Sequence, residues 1–143
     1  MKVFKFGGAS VKDAVGVRNL GKIISQKLEN GDVVVVSAMG KTTSMLESLA
    51  YEVLADSSDA WDQLDDIREF HFSLIRELFE DQQSGAHVFE RITELFSKIE
   101  FDLNHESQKI RKAFIDRILS YGEIISTAIV AEYAKVTGVG VVW

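Results

Sequence analysis

The sequence contains no cysteine and no proline. Without cysteine, a disulfide framework and a thiolate metal site are both excluded, and the chain suits a reducing compartment. The lack of proline fits a helix-rich chain, because proline both removes a helix hydrogen bond and clashes with the preceding turn. No apolar run approaches the ~20 residues of a membrane span. No apolar h-region follows the N-terminus, so no secretory signal is read and a cytoplasmic location is expected. The chain also lacks the concentrated basic stripe of a nucleic-acid binder, so neither nucleic acid nor membrane is an expected partner. What is there is 143 residues, 46% hydrophobic, with 10 glycines, enough for one domain with a real core. The net charge of −6 is unevenly spread. Residues 47–106 hold 16 acidic and 4 basic residues, a net of −12, so the remainder carries +6. That basic surplus lies with the glycine-containing segments, where a small anionic ligand could sit.

Residues 2–6 alternate and stop at Gly7-Gly8, which predicts a short buried strand. Residues 11–28 place Leu20, Ile23, Ile24 and Leu28 on one helix face, and Asn30-Gly31-Asp32 reads as stop and turn. Val33 to Val36 is an apolar β-branched run, the pattern of a strand covered on both faces. Strand, helix and strand with short connections form a βαβ unit, with parallel strands and a right-handed crossover. A helical region of about 44–136 follows. Ile67, Phe70, Leu74 and Leu78 mark one helix, and Phe89, Ile92, Phe96, Ile99 and Leu103 another, with a break at 82–86 around Gly85. Ile110, Phe114 and Ile118 mark a third. The stretch SYGE interrupts it, and Ile125, Ile129 and Tyr133 continue as a new helix to Lys135. Gly138 and Gly140 bracket a turn into a strand over 139–143. The fold class is α/β with a mainly parallel sheet. A third strand that stops at Trp143 is expected to belong to a larger α/β protein.

Ligands of α/β sheets bind beyond the carboxyl ends of the strands. Here those ends carry KFGGAS and SAMGKTTS. Glycines let a backbone approach an oxyanion, and successive N–H groups form an anion nest. Lys5 supplies a point charge for phosphate oxygens, and Ser10 and Thr43 are candidate helix N-caps. Each feature also has a plainer explanation: a tight Gly-Gly turn, an edge-strand lysine that guards against aggregation, two simple caps. GKTT is not a Walker loop, because Val35 stands where that motif needs glycine. In SYGE, Gly122 costs a helix about 1 kcal/mol relative to Ala. Glu123 behind it is either a first-turn acid favoured by the helix dipole or a carboxylate aimed at a cationic ligand group. His71, His87 and His105 share no metal-like spacing and read as surface or core residues. The acidic run reads as the solvated face of a helical layer.

Taken in order, KFGGAS, VVVVSAMGKTTSML and SYGEIISTAIVAEY resemble three stretches of the aspartokinases. These are the opening KFGG-[TS]-S motif, the second strand with its substrate loop, and the S-x-G-E helix start. KFGG alone is shared with other amino-acid kinases; the combination is specific. The resemblance implies a three-layer αβα amino-acid-kinase fold with a helix-rich insertion. Residues 1–143 would be the N-terminal part of its catalytic domain, without the nucleotide part and the regulatory ACT-type domains. It implies ATP-dependent phosphorylation of the L-aspartate side-chain carboxylate to 4-phospho-L-aspartate, which leads to lysine, threonine and methionine. L-Aspartate and ATP are the implied partners, with Mg2+ accompanying the nucleotide, in a homo-oligomer.

Carried over by position, Lys5, Phe6, Gly7 and Gly8 match the phosphate-contacting motif, with Ser10 at its end and Lys5 as the catalytic cation. Ser37 matches a serine near the reacting carboxylate, Thr43 a substrate-binding threonine, and Glu123 the glutamate that holds the substrate's ammonium. The family often has Thr where Ala9 stands, so one hydroxyl is lost. These residues alone are expected to be inactive. An acetylglutamate or glutamate kinase shares the first glycine loop, but SYGE argues against it. A non-catalytic helical interaction module would draw on the acidic segment 47–106.

Overall fold

The computed structural model describes residues 1–79, 82–105 and 111–143, with side chains except those of 82–84. Strands β1 (Val3–Phe6) and β2 (Val33–Val36) pair in parallel, with Val3 opposite Val33 and Phe6 opposite Val36. Between them run a 3-10 turn (Gly8–Val11) and helix α1 (Ala14–Lys27), completing the expected βαβ unit. Four helices follow: α2 (Thr42–Leu54), α3 (Ala60–Leu78), α4 (Gln82–His105) and α5 (Arg111–Val136). Helix α5 is the hub. It packs on α1, α2, α4 and β2, and Phe114, Ile118, Ile125 and Ile129 are buried along it. One core joins sheet and helices, from Phe6, Val34 and Val36 through Leu46 and Ile67 to Phe96.

Several expectations are corrected. Among the described residues, the sheet is covered on one face only. Phe6, Val34 and Val36 point to the helices, whereas Val3, Val33 and Val35 are 64%, 43% and 42% exposed. An unbroken β-branched run does not distinguish one covered face from two. Residues 139–143 form no strand. Val139 N–H donates to the Ala134 carbonyl at 2.9 Å. The Trp143 indole N–H donates to Thr127 Oγ1 at 2.8 Å, and its ring lies 4.0 Å from the Arg91 guanidinium. The segment is thereby tied to helices, leaving a groove of about 460 Å³ between it and β2.

Helix α5 runs through Gly122 without a break, so Glu123 opens no new helix. Helix α4 starts at Gln82, which puts 82–86 inside it. Ile110, expected on a helix face, lies outside the described residues. Neither predicted cap is used. Asp13 caps α1 by accepting from Gly16 N–H at 2.8 Å, while Ser10 sits in the 3-10 turn and Thr43 is already inside α2. No helix among the described residues is long and apolar enough to cross a membrane.

Candidate active site

Both strands end at the same edge of the sheet, so their loops meet. The Ser37 N–H donates to the Phe6 carbonyl at 3.0 Å, which extends the ladder one step beyond β2. The Gly40 N–H then donates to the Gly8 carbonyl at 3.1 Å. A side chain at position 8 would forbid this contact: a Cβ there would lie 2.7 Å from the Ala38 carbonyl oxygen and 3.1 Å from that of Gly40. Gly8 is thus required by packing between the loops. Gly7 differs, because a Cβ there would meet nothing within 4 Å. It faces open space, as a backbone that meets a ligand must.

The second loop, residues 37–41, is also held by α5. A Cβ on Gly122 would come within 2.9 Å of the Ala38 Cβ. The glycine that looked like a helix breaker is the seat on which Ala38 rests. One residue on, Glu123 brings Oε1 to 3.4 Å from the Ala38 N–H, a long contact. One turn further, Ser126 is fully buried and donates from Oγ to the Ser37 carbonyl at 2.7 Å. At the start of α2, the buried Thr42 donates from Oγ1 to the Met39 carbonyl at 2.7 Å. The loop backbone is therefore fixed from three directions.

The fold brings Gly8, Ser37 and Glu123 together. Lys5 pairs with Val35 and projects on the open sheet face, exposed. None of the salt bridges among the described residues engages it. Phe6 lies on the opposite, helix-facing side and packs against the core, so its side chain is structural and only its backbone borders the loop. Ser10 and Thr43 are exposed, Ser10 with its N–H bound to the Gly7 carbonyl at 2.9 Å. The result is a surface that carries the exposed cations Lys5 and Lys41, the Glu123 carboxylate, the hydroxyls of Ser10, Ser37 and Thr43, and glycine backbone. Such a surface suits a small molecule that carries both an anionic and a cationic end.

Sequence reasoning missed Ser126, Thr42 and His71. Ser126 had a signal, because it stands three residues after Glu123 on the same helix face. Among the histidines, His71 is core, while His87 and His105 are exposed. Among the described residues, no three His, Cys, Asp or Glu side chains converge into a group able to hold a metal. The acidic segment behaves as a solvated layer, with Asp65, Glu69 and Glu100 paired to arginines on exposed helix faces.

Comparison with known proteins gives a consistent result. The model of the amino acid kinase family matches residues 1–143. Chloroplastic aspartokinase 1 of Arabidopsis thaliana is 29% identical over 140 residues, covering 96% of this chain and 24% of the relative. Lysine-sensitive aspartokinase 3 of Escherichia coli K12 is 27% identical over 141 residues, covering 99% of this chain and 30% of the relative. Among solved structures, E. coli aspartokinase III in complex with lysine and aspartate (T-state) has a TM-score of 0.81 at 26% identity, covering 98% of this chain and 30% of that one. The same enzyme with aspartate and ADP (R-state) has a TM-score of 0.78 at 26% identity, covering 94% and 29%. The chain spans 24–30% of the length of these proteins.

Proposed function

The chain belongs to the amino acid kinase family, and on that premise we propose that it forms the N-terminal part of an aspartokinase catalytic domain. The reaction is transfer of the γ-phosphoryl group of ATP to the side-chain carboxylate of L-aspartate. A carboxylate oxygen attacks the γ-phosphorus, the bond from that phosphorus to the bridging oxygen breaks, and ADP and 4-phospho-L-aspartate leave. The acceptor is already ionised, so no general base is needed, and catalysis rests on positioning and charge neutralisation.

One observation carries the reading. Gly122 seats Ala38, and Glu123 is thereby held at the second loop beside Ser37, with Oε1 3.4 Å from the Ala38 N–H. A carboxylate placed beside a glycine loop gives an α-ammonium a partner while the loop receives the substrate's acid end. Glu123 holds the ammonium, Thr43 and Ser37 hold the carboxylates, and Lys5 neutralises the transferring phosphoryl oxygens. Gly7, Gly8 and Ser10, with the Phe6 backbone, line the phosphate path. Mg2+ is carried by the nucleotide phosphates. The solved E. coli enzyme is described with aspartate and with ADP, which supports the same pair of ligands here. The adenine pocket and regulatory parts lie in the length of the relatives that these residues do not span, and the assembly is a homo-oligomer.

Calorimetric titration separates the candidates. L-Aspartate is expected to bind, and N-acetyl-L-glutamate, whose amine is blocked, is not. Binding of N-acetyl-L-glutamate in preference to aspartate would transfer the chain to the acetylglutamate kinases. Silence with every amino acid and with nucleotide would return the helical interaction module.

A further inference from the structure

One polar ring lies where an aliphatic side chain would fill the space. His71 of α3 is fully buried, with the rings of Phe70 and Phe96 centred 4.9 and 6.0 Å away. A buried polar ring is costly unless its nitrogens find partners. Nδ1 lies 2.7 Å from the Ile67 carbonyl oxygen. A carbonyl only accepts, so Nδ1 carries the proton and Nε2 presents a lone pair. Burial pushes the ring's pKa down to about 4, which keeps it neutral near pH 7. Nε2 faces Thr42 Oγ1 at 3.4 Å. The Thr42 hydroxyl has one proton and two acceptors before it, the Met39 carbonyl at 2.7 Å and this nitrogen. Met39 is the middle of the second loop, and Thr42 begins α2, one residue before Thr43.

We propose that His71 is a positioning residue for the second loop: its Nε2 is the reserve acceptor of the Thr42 hydroxyl. When the Met39 peptide shifts, the hydroxyl turns to the ring instead of being orphaned in the core. The first turn of α2, with exposed Thr43, then stays docked on α3. His71 touches no ligand position; it acts through Thr42. The functional meaning of this docking rests on the reading of the second loop as the aspartate loop.

The test is amide hydrogen exchange, read residue by residue by NMR on the 143-residue chain. His71→Leu keeps the apolar volume and removes the acceptor. It is expected to speed exchange at Gly40, Thr42 and Met45 about five- to tenfold, the weight of one hydrogen bond, with Val17 in α1 and Leu28 at its C-terminal cap unchanged. His71→Gln, which restores an acceptor, should return the wild-type rates. Thr42→Val, which also removes the donor to the Met39 carbonyl, should give a local rise at least as large, and adding His71→Leu to it should add nothing. If His71→Leu fails to fold, His71→Phe, which keeps a ring and lacks the acceptor, is read in its place with the same expected rise. A uniform rise over all helices, an absent rise, or additive effects of the two substitutions would each overturn the proposal. L-Aspartate added to the wild-type sample tests the other reading separately: absent shifts at Ser37 and Thr43 would contradict the aspartate assignment and leave the exchange result standing.

Discussion

The two loops at the end of the sheet are built in opposite ways. The second is clamped: Gly8 packs beneath it, Gly122 and Ser126 hold it from α5, and Thr42 holds it from the start of α2. The first is tied to the second through Gly8 and its own 3-10 turn, while Gly7 and Lys5 stay open. A rigid loop suits a ligand that must be oriented to react. An open loop beside a cation suits a phosphoryl group that arrives with its own counter-ion. The contrast separates residues that hold the site together from residues that face the ligand, and each class fails differently when changed.

The largest expected effect belongs to the open side. In an enzyme that carries this chain, Lys5→Ala should lower kcat ~10²–10³-fold, the usual weight of one charge-stabilising donor, and leave the melting temperature unchanged because the side chain is exposed. An unchanged kcat in a steady-state assay would remove Lys5 from the chemistry.

The next effect belongs to the clamped side and is read by pH. The folded-state pKa of His71 is pushed down to about 4 from an ordinary value of 6.5 by burial. The unfolded chain therefore binds this proton first as the pH falls. Stability is fully present above about pH 6.5 and declines towards pH 4, by about 3 kcal/mol at most. Urea unfolding across that window should show the loss, and His71→Leu should remove that share of it.

The adjacent glycines then set the two designs side by side. Gly8→Ala drives a Cβ against the carbonyl oxygens of Ala38 and Gly40, and overpacking of this kind costs about 1–3 kcal/mol. Gly7→Ala meets nothing and should change stability by less than about 0.5 kcal/mol, while still weakening nucleotide binding. Equal stability losses in thermal denaturation would erase the contrast.

Much of this was legible before any coordinates, for identifiable reasons. The βαβ unit follows from local patterning, as Val33 to Val36 and the Leu20–Ile24 face show, and both glycine loops lie at strand ends where ligands are expected. What was illegible depends on partners distant in sequence. Gly122 reads as a costly helix break until Ala38 is found against it. His71 reads as an ordinary core residue until its nitrogen meets Thr42 from another helix. The strand expected over 139–143 has the right β-branched residues, but the Trp143 hydrogen bond to Thr127 draws it to α5. Composition reports what a segment prefers, and the neighbours decide which preference is used.

The central claim is that Glu123, seated by Gly122 over the clamped loop, receives the substrate's ammonium. The direct test is titration of wild type and Glu123→Gln with L-aspartate and with succinate, which keeps both carboxylates and lacks the amine. Glu123→Gln should weaken aspartate binding by about 2–5 kcal/mol if the ion pair is desolvated, and leave succinate binding where it was. Equal loss for both ligands, or no loss for aspartate, would contradict the assignment.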